Sequence, residues 1–267
     1  MTKKLIVFNW KMAPDSIEEA SRILKVIEKF YSPKFFLKTW EGGNLIVICP
    51  PFIYLEPLSK ILKAKDLKLK TKIQLGAQNI FWETKGAYTG EISPLMLKKI
   101  GVQYVIIGHS ERRQYLQETD EIINKKIKVA LENNLKVILC VGENSNIRKK
   151  GIKSVKNFIK SQLQKDLKNI ENCKLKIENF IVAYEPIWAI GTGNYCNSEN
   201  ALEIIKFIKN FLKAKSSKLK VKILYGGSVN NKNINNYLKY KEIDGVLVGS
   251  ASVNQKELNL ILKNLNV

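Results

Sequence analysis

YVIIGHSERR, residues 104–113, sets four apolar residues without polar alternation ahead of a glycine, the chain's single histidine, and a charged run that reads as the start of a helix. A strand with one wet face alternates apolar and polar side chains. An unbroken Val/Ile run is instead covered on both faces, as in parallel sheets, where each strand must return through a crossover helix.

The same pattern recurs along the chain. Further apolar runs occupy Leu5–Phe8, Leu45–Cys49, Ile73–Ala77, Lys136–Cys140, Phe180–Tyr184, Lys222–Tyr225 and Gly245–Val248. Between them lie stretches with helical spacing, such as Asp15–Phe30 (Ile17, Ala20, Ile23, Leu24, Ile27), Asp120–Asn133 and Asn200–Leu212. Eight strand–helix repeats with no linker-like composition between them predict an α/β fold. The expected form is a closed (β/α)8 barrel making a single domain over residues 1–267. A doubly wound open sheet is the competing arrangement. It usually has fewer strands and often a G-x-G-x-x-G turn after the first, whereas here the first run ends in Asn9-Trp10-Lys11.

Composition narrows the function. The chain of 267 residues is 45% apolar, enough for a large core and against disorder. No apolar stretch is long enough to span a bilayer, and the amino terminus lacks the pattern of a signal peptide. Cys49, Cys140, Cys173 and Cys196 are widely spaced with no C-x-x-C pair, which predicts reduced thiols, a cytoplasmic location and no zinc site. The net charge of +21 invites a nucleic-acid partner, but the positive residues are nearly all lysines scattered over many segments. Arginine appears only as Arg22, Arg112, Arg113 and Arg148, and no nucleic-acid-binding motif is present, so no specific nucleic-acid partner is expected.

In a barrel, chemistry gathers just past the carboxyl ends of the strands. Those positions hold Asn9 and Lys11, Gln78 and Asn79, His109 and Glu111, Glu143, Glu185, Gly226-Gly227-Ser228, and Gly249-Ser250. The paired small-residue turns after strands seven and eight suit an anion held by backbone N–H groups. His109 heads a helix, where the positive end of the peptide dipoles disfavours the protonated ring. Glu185 is followed by Pro186, an apolar Ile187–Ile190 tip and Gly191-Thr192-Gly193, the composition of a lid that closes over a substrate, or of a well-packed static loop.

These residues resemble a known family. NWKM (9–12), AQN (77–79), GAYTGEIS (86–93), IIGHSERR (106–113), CVGE (140–143), AYEPIWAIGTG (183–193), YGGSV (225–229) and LVGSAS (247–252) are similar, in order and register over nearly the whole chain, to triose-phosphate isomerases. The resemblance implies a TIM barrel that interconverts dihydroxyacetone phosphate and D-glyceraldehyde 3-phosphate in glycolysis and gluconeogenesis, with no cofactor and no metal. It implies Glu185 as the base, neutral His109 as the electrophile, and Lys11, Asn9 and Glu111 as the supporting charge and hydrogen-bond network. Asn9, Lys11, Gly191, Ser228, Gly249 and Ser250 would bind the substrate. It also implies a homodimer in which the Gln78–Ile92 loop reaches the partner through Thr89. Two features depart from the family pattern. Position 250 is Ser where many members have a second glycine, and Ser32–Gly43 is longer than the fold requires, an expected surface insertion. Another phosphosugar barrel enzyme and a polyanion-binding scaffold are the alternative functions.

Overall fold

The computed structural model describes residues 3–30, 43–69, 73–170, 180–190, 195–215 and 221–265. Eight parallel strands, β1 (Leu5–Asn9), β2 (Leu45–Cys49), β3 (Ile73–Ala77), β4 (Tyr104–Ile107), β5 (Lys136–Val141), β6 (Phe180–Tyr184), β7 (Lys222–Tyr225) and β8 (Gly245–Val248), close into a barrel in sequence order. Closure is direct, with Leu5 of β1 registered on Gly245 of β8. The backbone demands a glycine there, because a Cβ at position 245 would overlap the Leu5 carbonyl. Two strands run one residue further than their apolar runs, since Asn9 pairs with Cys49 and Val141 with Tyr184. The polar rim residues thus sit on or immediately after strand ends.

Alternation along the strands sorts side chains into two cores. Inward residues such as Val7, Val47, Ile106, Ile138, Ala183 and Leu224 fill the barrel, while outward ones such as Ile6, Phe8, Val105 and Val182 pack under the helices. The helix Ile17–Phe30 shows how the outer layer arises from spacing, burying Ala20, Ile23, Leu24, Ile27 and Phe30 along one face. Ser16 ends it by accepting the Glu19 N–H at 3.2 Å, which leaves Asp15 outside the helix. Thr119 caps Asp120–Glu132 in the same way through Ile122 N–H. The third helix expected from spacing extends to Ser198–Lys215. The expected insertion falls almost wholly on residues 31–42, outside the described residues. Among the described residues no helix is long and apolar enough to cross a membrane.

Candidate active site

The site begins with a strained residue. Lys11, just past β1, has φ +54°, a left-handed backbone that a side chain disfavours and that persists only when its surroundings hold it. Asn9 Oδ1 accepts the Lys11 N–H at 3.0 Å. Gln78, past β3, donates from Nε2 to the carbonyls of Lys11 (2.8 Å) and Cys49 (2.9 Å). Pinned in this way, Lys11 sends its ammonium across the rim into an ion pair with Glu111.

Glu111 belongs to the helix Ser110–Tyr115, and His109 is that helix's N-cap, 6% exposed. The Glu111 N–H donates to His109 Nδ1 at 3.3 Å. That bond uses a lone pair on Nδ1, which assigns the ring proton to Nε2. His109 Nε2 faces Glu185 Oε1 at 3.3 Å.

Glu185 lies just past β6 and is 1% exposed. Its N–H donates to Val141 O at 2.8 Å and its Oε2 accepts the Ser110 N–H at 3.2 Å. Its Oε1 is buried without a hydrogen bond. A carboxylate oxygen withdrawn from water and lacking a donor keeps a lone pair available for a proton. Glycines make the space. A Cβ on Gly226 would stand 2.9 Å from Glu185 Cγ, and one on Gly142 would overlap the Glu185 carbonyl. Below the carboxylate, the buried Cys140 thiol is pushed up by burial first and then by Glu185, so it stays protonated.

The turns after β7 and β8 complete the cleft, which is lined by Asn9, Lys11, His109, Glu185, Ser228, Gly249 and Ser250. Gly249 lies against Lys11, its would-be Cβ 3.1 Å from Lys11 Cε. Ser250 opens a short 3-10 helix, Ser250–Ser252, and is not among the residues with positive φ, so serine keeps the backbone donor here without strain. Ser252 fixes the turn by donating its Oγ to Gly249 O at 2.6 Å. Glu111 joins the site through Lys11, whereas Gly191 lies outside the described residues. Among the described residues no three His, Cys, Asp or Glu side chains converge as a metal site.

The expected lid is docked over its described half. Residues Ile187–Ala189 form a single 3-10 turn. Trp188 Nε1 donates to Glu143 Oε1 at 2.8 Å, the Ile187 N–H donates to Glu143 O at 3.0 Å, and Arg148 covers the Trp188 ring at 5.3 Å. Glu143 is fully buried and also accepts the Tyr184 hydroxyl at 3.1 Å. Burial raises its carboxyl above the ordinary range despite these donors. The apolar tip is thus half-buried against the barrel, and the glycine exit at 191–193 falls outside the described residues.

Three contributors carry roles that the sequence alone does not assign: Gln78 as the clamp on Lys11, the Ser110 N–H as a donor to Glu185, and Gly226 as the space beside that carboxylate. Gln78 and Gly226 stand in the family-like motifs at strand ends, which is a positional signal. Their partners become visible only once the barrel closes.

Comparison with known proteins agrees with this geometry. A family model described as triosephosphate isomerase matches residues 4–265. The chain is 46% identical to the triosephosphate isomerase of Dictyoglomus turgidum over 95% of its own length and 96% of that protein. It is 45% identical to that of Dictyoglomus thermophilum over 99% and 100%, and 43% identical to that of Caldanaerobacter subterraneus over 95% and 96%. With the match spanning nearly the whole chain and the cleft built from the strand ends, the chain belongs to the triosephosphate isomerase family.

Proposed function

We propose that the rim cleft interconverts dihydroxyacetone phosphate and D-glyceraldehyde 3-phosphate by moving one proton between adjacent carbons. The observation that carries the reading is the buried, unpartnered Oε1 of Glu185, 3.3 Å from His109 Nε2 at the mouth of the barrel. Glu185 takes a proton from C1 of the ketose. The C–H electrons form the C1=C2 double bond of an enediolate, and the ketone oxygen, gaining negative charge, receives the proton of His109 Nε2. Glu185 then returns the first proton to C2 while the C1 hydroxyl gives its proton back to His109 Nε2, so that C1 becomes the aldehyde carbonyl and both side chains are restored. A carboxylate in water is too weak a base for this carbon acid, so the dry setting of Glu185 raises its reactivity. Lys11 offsets charge on the phosphate and on the developing oxyanion, with Glu111 holding the ammonium in place and Asn9 adding a hydrogen bond. The N–H groups of Ser228, Gly249 and Ser250, with Gly191 from the lid, bind the phosphate. The reaction belongs to glycolysis and gluconeogenesis.

The test is turnover of glyceraldehyde 3-phosphate by the wild type beside Glu185→Gln and His109→Gln. Loss of a positioned base costs about 10²–10⁴-fold, so kcat/KM in Glu185→Gln is expected to drop by that factor while binding of a phosphate analogue persists. Equal turnover in the two proteins would rule out the role of Glu185.

A homodimer fits the same reading. Met12 is 99%, Ile53 74% and Met96 56% exposed, apolar surface that a second copy would cover. Thr89 stands at the exposed tip of the Gln78–Ile92 loop, which is stiffened where Phe81 stacks on Trp82 at 4.0 Å. Sedimentation of the wild type as a monomer at micromolar concentration would contradict this. Thr89→Arg, which would bring a cation toward the partner's Lys11, is expected to weaken the dimer. A cytoplasmic setting fits Cys49, Cys140 and Cys196, which are free and buried.

A further inference from the structure

The opposite mouth of the barrel carries an unusual set of side chains. The lowest inward positions of the odd-numbered strands are Leu5, Gln74, Lys136 and Lys222. Leu5 belongs to the inner core, and Lys136 and Lys222 each stand two residues before an inner residue, Ile138 and Leu224. Gln74 stands two before Gly76, whose would-be Cβ meets Cys49, Val47 and Tyr104 inside the barrel. Barrel interiors are ordinarily filled by layers of branched apolar side chains. Here one such layer holds two cations and a carboxamide.

Among the described residues, neither cation has a carboxylate within ion-pair distance. Lys136 is held below the ordinary lysine range first by burial and then by repulsion from Lys222. Among the described residues, Asp244, which immediately precedes β8, is already engaged. It accepts the Ile223 N–H at 2.7 Å and pairs with Lys209 at 2.7 Å. What Lys136 does contact is neutral. Its Nζ donates to the hydroxyl of Tyr104 at 3.3 Å and lies 4.9 Å from the centre of that ring, and Tyr104 is 3% exposed. Since the hydroxyl accepts from Lys136, its own proton is free to be donated. Gln74 Oε1 is buried with no partner among the described residues, and a half turn of the carboxamide presents its NH₂ instead. Two like charges at a partly dry mouth, beside a free hydroxyl proton and a carboxamide, form the donor set for an anion.

We propose that the amino-end mouth of the barrel binds one small oxyanion of the phosphate class between Lys136 and Lys222, with the Tyr104 hydroxyl and the Gln74 carboxamide as neutral donors. The site lies at the far end of the barrel from the catalytic cleft and does not depend on the catalytic reading.

Equilibrium dialysis of radiolabelled inorganic phosphate in physiological salt tests it, with dihydroxyacetone phosphate at saturation to empty the rim cleft of phosphate. The wild type is expected to retain a single phosphate per chain that substrate does not displace. Lys136→Gln/Lys222→Gln loses it, and each single variant weakens it by about tenfold, the scale of one charged hydrogen bond. The double variant keeps kcat/KM within about twofold, since neither residue touches the rim. Sulfate competes for the site. Retention of no phosphate by the substrate-saturated wild type, or equal retention by the variants, overturns the proposal. Should the double variant fail to fold, Lys222→Gln, at an exposed position, supplies the comparison.

Discussion

At the carboxyl-end mouth of the barrel, charged side chains have specific partners: Lys11 pairs with Glu111, Glu185 Oε2 accepts the Ser110 N–H, and Glu143 accepts from Trp188 and Tyr184. At the amino-end mouth, Lys136 and Lys222 repel each other, and among the described residues no carboxylate pairs with either. Both ends belong to the same eight strands, so the contrast comes from the loops and not from the sheet. Loops after the strands bring in helix starts, turns and acids that partner the rim residues, while Lys136 at a strand beginning meets only the Tyr104 hydroxyl and ring among the described residues. Polar side chains that the upper loops hold in fixed geometry can do chemistry, whereas those at the lower end can only attract an ion.

Substitutions at the two ends should therefore separate in their effects. Lys11→Met is expected to have the largest, lowering kcat/KM by about 10²–10³-fold, the scale of a lost electrostatic donor at developing charge. Steady-state kinetics beside a melting curve would check that stability moves little. Gly226→Ala comes next. Its Cβ would meet Glu185 Cγ at 2.9 Å, and with Glu185 as the proposed base, shifting its carboxylate by a fraction of an ångström is expected to cost up to about 10²-fold, mainly in kcat. Unchanged kcat would mean that the carboxylate has more room than the glycine implies. Glu143→Gln tests a charge with no part in the chemistry. Burial raises the Glu143 carboxyl above 4.5, so its folded state favours the proton. Its contribution to stability is therefore full below pH 4.5 and lost as pH rises through the folded value. Denaturant titrations across the acid range should show that slope in the wild type and its absence in Glu143→Gln. Lys136→Gln should have the smallest effect: turnover unchanged and, in phosphate-free buffer at low salt, a small gain in stability as a partly buried charge and its repulsion from Lys222 are removed. A loss of turnover there would merge the two ends into one functional unit.

The strands are legible in the sequence because burial on both faces leaves an unbroken apolar run, and all eight appear within one residue of their sequence positions. The rim is legible for a related reason. A barrel offers few places for a lone histidine or a carboxylate after a Val/Ile run, and Asn9, Lys11, His109 and Glu185 line one cleft. Contacts between distant loops cannot be read in this way. Nothing near Lys11 announces its positive φ or the Gln78 that holds it, 67 residues away. Composition alone suggests a lid at 187–193, but it does not reveal that a buried Glu143 holds Trp188 and docks the apolar tip. Helix ends differ where a cap intervenes, as Ser16 shows by excluding Asp15.

Lys11, carried by β1, pairs with Glu111 behind β4, while His109 behind β4 faces Glu185 behind β6. Gly249, behind β8, leans on Lys11. No contiguous half of the chain holds all of these, and the ring shuts only when β8 pairs with β1. Recovery of turnover during refolding therefore serves as a clock for the final closure: a chain with seven strands in place has most of its secondary structure and none of its activity.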